Sequence, residues 1–370
     1  MDLAERKQCT GCRACSSICP HGAIEMHADA NGFLYPRIRK KKCVACGLCT
    51  KACPVLNPPE QLPPKKCFAA ETQNDGLHLN SSSGGIFGEL ALSALDHGGY
   101  VAGCAWDDTG LKAKHIVVGK REDLPRLYRS KYVQSDIGDV FSEVKKILAS
   151  GKSVLFSGTP CQVAALHQFL GNGHDGLTTV EIICHGVPSP AVFERYKKEC
   201  SRKYRSNLSG VNFRAKERVH GNEFISLEFE GKNVVSAWKD DVYFNSFLQN
   251  YILRESCFRC SSNDGRSGAD ITLGDFWGIQ DVFPECRGSG YSAVVVRSEK
   301  GMRLWNEICQ NAIFREVSYD SICKGNPVCR KSVAKPYAYR YYMAAYKMLG
   351  LGKTLRSAIL LNRIAGRIRQ

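Results

Sequence analysis

Cys9-Thr10-Gly11-Cys12-Arg13-Ala14-Cys15-Ser16-Ser17-Ile18-Cys19-Pro20 and Cys43-Val44-Ala45-Cys46-Gly47-Leu48-Cys49-Thr50-Lys51-Ala52-Cys53-Pro54 are two copies of one pattern, C-x2-C-x2-C-x3-C-P. Three closely spaced thiols on a tight loop can grip three corners of a cube, and a fourth ligand must arrive from elsewhere. A pair of such runs exchanges its fourth cysteines. The spacing therefore assigns Cys9, Cys12, Cys15 and Cys53 to one [4Fe-4S] cluster, and Cys43, Cys46, Cys49 and Cys19 to a second. Pro20 and Pro54 follow the crossing cysteines and turn the chain away with their fixed φ. Structural zinc on C-x2-C pairs is the alternative, but zinc uses two pairs rather than two quartets each closed by C-P.

Each half is the run of bacterial ferredoxins, so residues 1–57 read as an α+β ferredoxin module carrying two clusters. Its interior holds Asn31-Gly32-Phe33, a turn between short strands. Residues 58–66 form a linker, with four prolines between Pro58 and Pro64 acting as a semi-rigid spacer.

The whole chain has 370 residues, 44% hydrophobic, with 19 cysteines. That length suits two or three domains with a real core rather than a small disulfide scaffold. The opening MDLAERKQC has no apolar leader, and no run of about eighteen apolar residues appears. The thiols are therefore expected to be reduced and metal-binding in the cytoplasm. The net charge is +15, and no acidic residue follows Asp320, whereas eleven lysines and arginines do. Such a basic tail, 336–370, suits an anionic membrane surface, an acidic electron carrier, an acidic substrate or nucleic acid. Aromatic–basic interleaving is confined to Tyr337–Tyr342, which argues against nucleic acid as the partner. The tail also reads as an amphipathic helix, lying either on a membrane surface or on its own domain.

From Cys67 to about residue 335 strands alternate with helices, which argues for a mostly parallel sheet covered by helices. Alternating strands interrupt this between Val211 and Ala237. Four more thiols sit at informative places. Cys161 opens a helix, Cys184 ends a strand, and Cys257 and Cys260 form a C-x2-C pair. If the strands bearing Cys161 and Cys184 are neighbours, both thiols emerge at the carboxyl edge of the sheet, where α/β folds place ligands. A third [4Fe-4S] cluster, a zinc site, or a catalytic Cys161 among inert thiols all satisfy the spacing. Cys67, Cys104, Cys200, Cys286, Cys309, Cys323 and Cys329 lack partners at ligand spacing and read as ordinary thiols.

Six ordered motifs carry a resemblance: S-S-S-G-G-I-F from Ser81, R-S-K-Y-V-Q-S from Arg129, F-S-G-T-P-C-Q-V-A-A-L from Phe156, C-H-G-V-P-S-P from Cys184, C-F-R-C from Cys257 and A-D-I-T-L-G-D-F-W from Ala269. The segment from Cys67 to Arg297 resembles the coenzyme F-420 hydrogenase/dehydrogenase beta-subunit family, whose relatives include 7-hydroxymethyl chlorophyll a reductase. The resemblance implies an α/β flavin and iron–sulfur domain with a mixed sheet, holding FAD beside a [4Fe-4S] cluster on Cys161, Cys184, Cys257 and Cys260. It implies flavin contacts at Ser82, Ser83, Gly84, Gly85, Lys131, Tyr132, Ser135 and Thr159. Serine hydroxyls and glycine N–H groups opening a helix make an anion site for a pyrophosphate, although an ordinary helix cap reads the same way. His185 beside a ligand cysteine is a candidate proton relay, or a local hydrogen-bonder. The expected function is an oxidoreductase passing electrons between a ferredoxin-like low-potential carrier and FAD, and on to coenzyme F-420 or an organic substrate. The alternative is a non-catalytic electron-transfer subunit.

Overall fold

The computed structural model describes residues 3–108, 111–171, 174–216, 224–285 and 290–368, with the side chains of the last two left aside; Cys286 lies outside them. The first module is built on its two cysteine runs. Each run closes in a single helical turn, α1 (Ala14–Ser17) and α2 (Leu48–Lys51). Between them β1 (Ile24–Ala28) and β2 (Leu34–Ile38) pair antiparallel. The hairpin turn is held by Asp29, whose Oδ1 accepts the N–H groups of Asn31 and Phe33. Gly32 in this turn has φ 78°, and a Cβ there would meet the Ala191 nitrogen at 2.8 Å. Only glycine lets the hairpin come this close to the rest of the chain.

The second part is an eight-stranded sheet. Its members are β3 (Lys66–Thr72), β4 (Tyr100–Trp106), β5 (Ala113–Val118), β6 (Val154–Gly158), β7 (Leu177–Ile182), β11 (Ile271–Asp275), β12 (Ser292–Val296) and β13 (Ala312–Glu316). The order is β13-β3-β12-β11-β7-β6-β4-β5. The sheet is mixed: β4, β6, β7 and β11 run parallel, and all four remaining pairings are antiparallel. The expectation of mostly parallel pairing holds only for these middle strands. The helices connecting them, α5 (Val140–Ala149) and α6 (Pro160–Leu170), are the crossovers that parallel neighbours require. Of the edge strands, β5 follows β4 without a helix, whereas β13 is reached from β12 through the helix Glu299–Ile308. Before β4, α3 (Asp75–Leu79) and α4 (Ile86–Asp96) follow β3.

Helix α7 (Pro190–Tyr204) leads to a separate three-stranded antiparallel sheet of β8 (Leu208–Asn212), β9 (Phe224–Phe229) and β10 (Lys232–Ala237). With α8 (Val242–Leu248) it surrounds the largest apolar cluster, which includes Phe193, Phe213, Tyr243 and Phe247. The helices α9 (Glu299–Ile308) and α10 (Tyr319–Gly325) pack on opposite faces of the large sheet: Trp305 of α9 stacks on Phe68 at 4.5 Å, and Ile322 and Cys323 of α10 cluster with Cys67, Ala69 and Val295.

The chain closes with α11 (Tyr339–Leu349) and α12 (Leu351–Ile368). Tyr339, Tyr342, Met343, Tyr346, Leu351, Leu355 and Ala358 are buried in the same cluster as α8. Tyr342 stacks on Tyr251 with rings 4° apart in plane. The inner face of the basic tail is therefore occupied by the protein itself. Lys353, Arg356, Leu360, Arg363 and Ile364 stay outside. No helix among the described residues is long and apolar enough to cross a membrane.

The proline-rich segment is a strap rather than a free spacer. Leu62 N–H donates to the Gly265 carbonyl, Arg297 Nη1 donates to the Leu62 carbonyl at 2.8 Å, and Gln61 donates to the Asp264 carbonyl. It lies along the second part because proline leaves few backbone donors, and the carbonyls find donors there instead.

Candidate functional site

Four sets of side chains form one series through the molecule. Outermost, Cys19, Cys43, Cys46 and Cys49 line one small cavity together with His21, Val44 and Leu48. The fourth cysteine of the first run has thus joined the first three of the second. The reciprocal arrangement holds Cys9, Cys12, Cys15 and Cys53 close enough for Cys9, Cys12 and Cys53 each to raise the Cys15 thiol. Burial is the larger cause there, and it also pushes Cys12 up to about 12. Thiols so placed keep their protons until cations draw off the negative charge, as metal ligation does.

Cys12 also feels Cys161, which marks where the module meets the sheet. Helix α1 packs there on α6 and α5. Arg13 pairs with Asp136, and Gln134 Nε2 donates to the Thr10 carbonyl. Arg254, wholly buried, anchors the contact. It donates to the carbonyls of Cys9 and Leu34 and to Gln134 Oε1, and lies over the rings of Phe33 and Tyr35. Nothing in the sequence around Arg254 announced this role, because its partners are the Cys9 and Leu34 carbonyls, more than two hundred residues away, and the Gln134 side chain from another loop.

The third thiol set is Cys161, Cys184, Cys257 and Cys260, which line a common cavity of about 60 Å³. β6 and β7 are parallel neighbours, with Gly158 opposite Glu181, so the chain delivers Cys161 and Cys184 to the same edge. Thr159 caps α6 in a reciprocal box with Gln162, and its hydroxyl lies 3.2 Å from Cys161 Sγ. Val187 N–H donates to Cys257 Sγ. Burial pushes Cys161 up to about 12 and Cys257 to about 11, and raises Cys184 well above its ordinary value. Among the described residues no three His, Cys, Asp or Glu groups converge on the position of a single metal ion. The thiols instead stand around cavities. Cys329, read from the sequence as an ordinary thiol, is buried and also lines this third cavity.

The largest cavity, about 420 Å³, opens along the carboxyl ends of β4, β6, β7 and β11. That volume lies within the range of ligand pockets, about 300–1,000 Å³. Of the residues expected to contact a flavin, Ser82, Ser83, Gly85, Lys131, Tyr132, Ser135 and Thr159 line it, as do His185, Asp275 and Trp277. Gly84 is the exception. Its N–H donates to Ser292 Oγ, its carbonyl accepts from Thr72, and a Cβ there would run into the Ala70 carbonyl. Gly84 seats the loop against β3 and β12 and does not face a ligand. Gly85, at φ 83°, then starts α4, so the first N–H groups of that helix open beside Ser82 and Ser83. Ser83 Oγ is bonded to the Tyr291 carbonyl at 2.7 Å, and Ser82 Oγ accepts from Ser130 N–H at 2.7 Å.

The polar groups on the cavity floor form a chain. Gln162 Nε2 donates to Ser135 Oγ at 3.0 Å, and Ser135 pairs with His115 Nδ1 at 3.1 Å. His115 Nε2 meets the Ser157 carbonyl at 3.1 Å, which only a protonated Nε2 can satisfy. Burial lowers His115 to about 4, so the ring is neutral and its Nδ1 accepts from Ser135. Burial likewise lowers Lys131, to about 8, and its Nζ donates to the carbonyls of Tyr128 and Arg126. His185 is also lowered by burial, and its Nε2–H donates to Asn250 Oδ1 at 2.6 Å. That bond fixes the ring in the loop and leaves Nδ1 as an acceptor. Beyond them Arg214 forms a two-pronged pair with Asp275 at 2.6 and 2.7 Å, beneath Trp238 and Trp277.

Residues Ile182–Val187 line the third thiol cavity and the large cavity alike. The thiol series therefore ends directly against the ligand-sized space.

Comparison with known proteins divides the chain in the same way. Residues 8–57 match the model of the 4Fe-4S dicluster domain. The coenzyme F420-dependent sulfite reductase of Methanocaldococcus jannaschii is 24% identical over 317 residues, covering 83% of this chain and 47% of that protein. The chain thus spans about half the length of that curated relative. A chain of the F420-reducing [NiFe] hydrogenase complex of Methanosarcina barkeri aligns over 80% of this chain and 93% of its own length, at 17% identity and a TM-score of 0.48. Residues 151–321 match the model of the C terminus of the coenzyme F420 hydrogenase/dehydrogenase beta subunit. Residues 151–321 of this chain are thus similar to the C-terminal part of that beta subunit, with a stretch similar to an iron–sulfur dicluster domain ahead of them.

Proposed function

We propose that this chain is an iron–sulfur flavoprotein oxidoreductase, exchanging single electrons with a low-potential carrier protein and electron pairs with coenzyme F420 or an organic substrate. The single observation that carries the reading is the segment Ile182–Val187, which walls both the third thiol cavity and the large cavity. When bound, three [4Fe-4S] clusters would handle one electron at a time and FAD would gather or release two. The donor sets fit these groups: three quartets of thiols, and a pocket whose helix start and serines suit an anionic pyrophosphate.

The chain's own residues do the rest. Cys161 and Cys184 would be held at the sheet edge by β6 and β7. Thr159 would turn its hydroxyl toward Cys161 as a thiolate, since charge-assisted bonds are the stronger ones. The neutral His115 keeps Ser135 oriented at the cavity floor. His185 Nδ1 is the one ring nitrogen there left to accept a proton. Phe244, Phe247 and Trp238 give the cavity apolar walls. F420 enters this reading through the matched family and the sulfite reductase relative.

A second reading follows from length. Because the chain spans 47% of that relative, it would serve as an electron-transfer subunit that feeds a separate catalytic protein. Turnover of an added two-electron substrate by the chain alone separates the two. The test of the site itself is Cys161→Ala. It is expected to lose about four iron atoms per chain, keep the two N-terminal clusters, and block flavin reduction by reduced ferredoxin. Unchanged iron content would remove Cys161 from the ligand set.

A further inference from the structure

The outermost thiol set is only thinly covered. Cys46 is exposed. Val44 and Leu48 line its cavity, yet they are 61% and 40% exposed. An isolated exposed apolar residue needs no explanation, but two flanking an exposed cysteine at one cavity make a patch. Lys40, Lys41 and Lys42 lead into Cys43, and Lys51 follows Cys49; all four are exposed and make no ion pair among the described residues. The acidic groups described in residues 3–57 are Glu5, Glu25 and Asp29, and of these Glu25 is held by Arg39 and Asp29 by Arg6. The opposite end of the module, at Cys12 and Arg13, is already docked on α6 and Asp136.

We propose that the face formed by Val44, Cys46 and Leu48, collared by Lys40, Lys41, Lys42 and Lys51, is the docking site of an acidic one-electron carrier protein. This deepens the electron-exchange reading above and rests on it. An apolar centre with a charged rim is the anatomy of a protein interface. Small patches of this kind suit brief redox encounters, which bury under about 1,200 Å². The lysine collar favours a partner of opposite charge and speeds its arrival. Each encounter leaves the carrier one electron poorer and this chain one electron richer, or the reverse. Two encounters supply a pair, and no bond is made or broken at the interface.

The test measures binding of an acidic bacterial two-cluster ferredoxin to the anaerobically purified full chain by calorimetry, at about 20 and 300 mM salt. K40E/K41E/K42E is compared with K353E/R356E/R363E, which changes the net charge equally on α12. The first is expected to weaken binding about tenfold or more at low salt, with most of the difference gone at high salt, where charges are screened beyond about 6–8 Å. The tail variant is expected to stay within about threefold of wild type, and Val44→Ser to weaken binding at both salts. Wild-type binding that both triple variants lose equally would mean only general attraction to a basic protein, and would overturn the proposal. So would no binding by wild type, or full binding by K40E/K41E/K42E. Iron content and flavin reduction by a cationic viologen dye are followed in parallel. If the dye fails to reduce flavin in wild type while ferredoxin still binds at this face, the electron-exchange reading fails and the docking face stands.

Discussion

His115 shows how one buried side chain sets the chemistry of the cavity floor. Its ring lies stacked on Phe156, 5.6 Å between centroids, away from water. Burial lowers it to about 4 from an ordinary value of 6.5. A histidine that is easier to protonate when unfolded stabilises the fold in its neutral form. Its contribution is complete above about pH 6.5 and is lost as pH falls toward 4, a loss of about 3 kcal/mol across that window. His115→Gln keeps an acceptor and a donor but does not titrate. Its guanidinium unfolding midpoint should fall less than that of wild type between pH 7 and pH 4.5, and parallel curves would show that His115 is not held neutral. The ordinary appearance of A-K-H-I-V-V gave no hint of this, because the partners Ser135, Ser157 and Gln162 come from other elements. The cysteine spacing, by contrast, groups thiols that the fold brings together: one cavity is lined by Cys19, Cys43, Cys46 and Cys49, another by Cys161, Cys184, Cys257 and Cys260, and Cys9, Cys12 and Cys53 lie close enough to raise the Cys15 thiol. Gly84 shows the limit of motif reading at this scale. It sits inside a ligand-like S-S-G-G stretch, yet its contacts are with β3 and β12.

At the scale of elements, the contact between the module and the sheet depends on Arg254. Its guanidinium holds the carbonyls of Cys9 and Leu34 and the amide of Gln134 in one buried fan. Arg254→Met keeps the apolar stem over Phe33 and Tyr35 but removes these bonds. Bonds from a charged donor are each worth about 1.5–3 kcal/mol, so the docked arrangement should loosen measurably. The expected result is faster proteolytic cutting of the strap at 58–65, slower electron passage from ferredoxin to flavin, and unchanged iron content. Equal cutting rates in variant and wild type would show that the contact stands without Arg254. The alternation of strands and helices gave the sheet, and the adjacency of β6 and β7 placed Cys161 and Cys184 together as expected. The antiparallel edges were less legible, since a buried strand of valines, such as Ser292–Val296, reads the same in either direction. The tail was half legible. Its helices and charge were plain, and lying on its own domain was one of two readings left open; the buried tyrosines, with Tyr342 on Tyr251, place its inner face on the protein itself.

For the whole molecule, the arrangement is linear. A thiol set with Cys46 exposed stands at one end, then a second at the module boundary, then a third at the sheet edge, and a large cavity shares a wall with the last. Composition carried only the outline of this: many cysteines, a basic surface and two parts. The order of the sites depends on which face of the module meets α6, which no local pattern encodes. The measurement that tests this arrangement most directly is the iron, sulfide and flavin content of the strictly anaerobically purified chain. Three quartets and the large cavity predict about twelve iron atoms, as many sulfides, and one FAD per chain. About eight iron atoms and no flavin would contradict it, leaving a dicluster domain docked on a sheet whose cysteines at positions 161, 184, 257 and 260 hold no cluster.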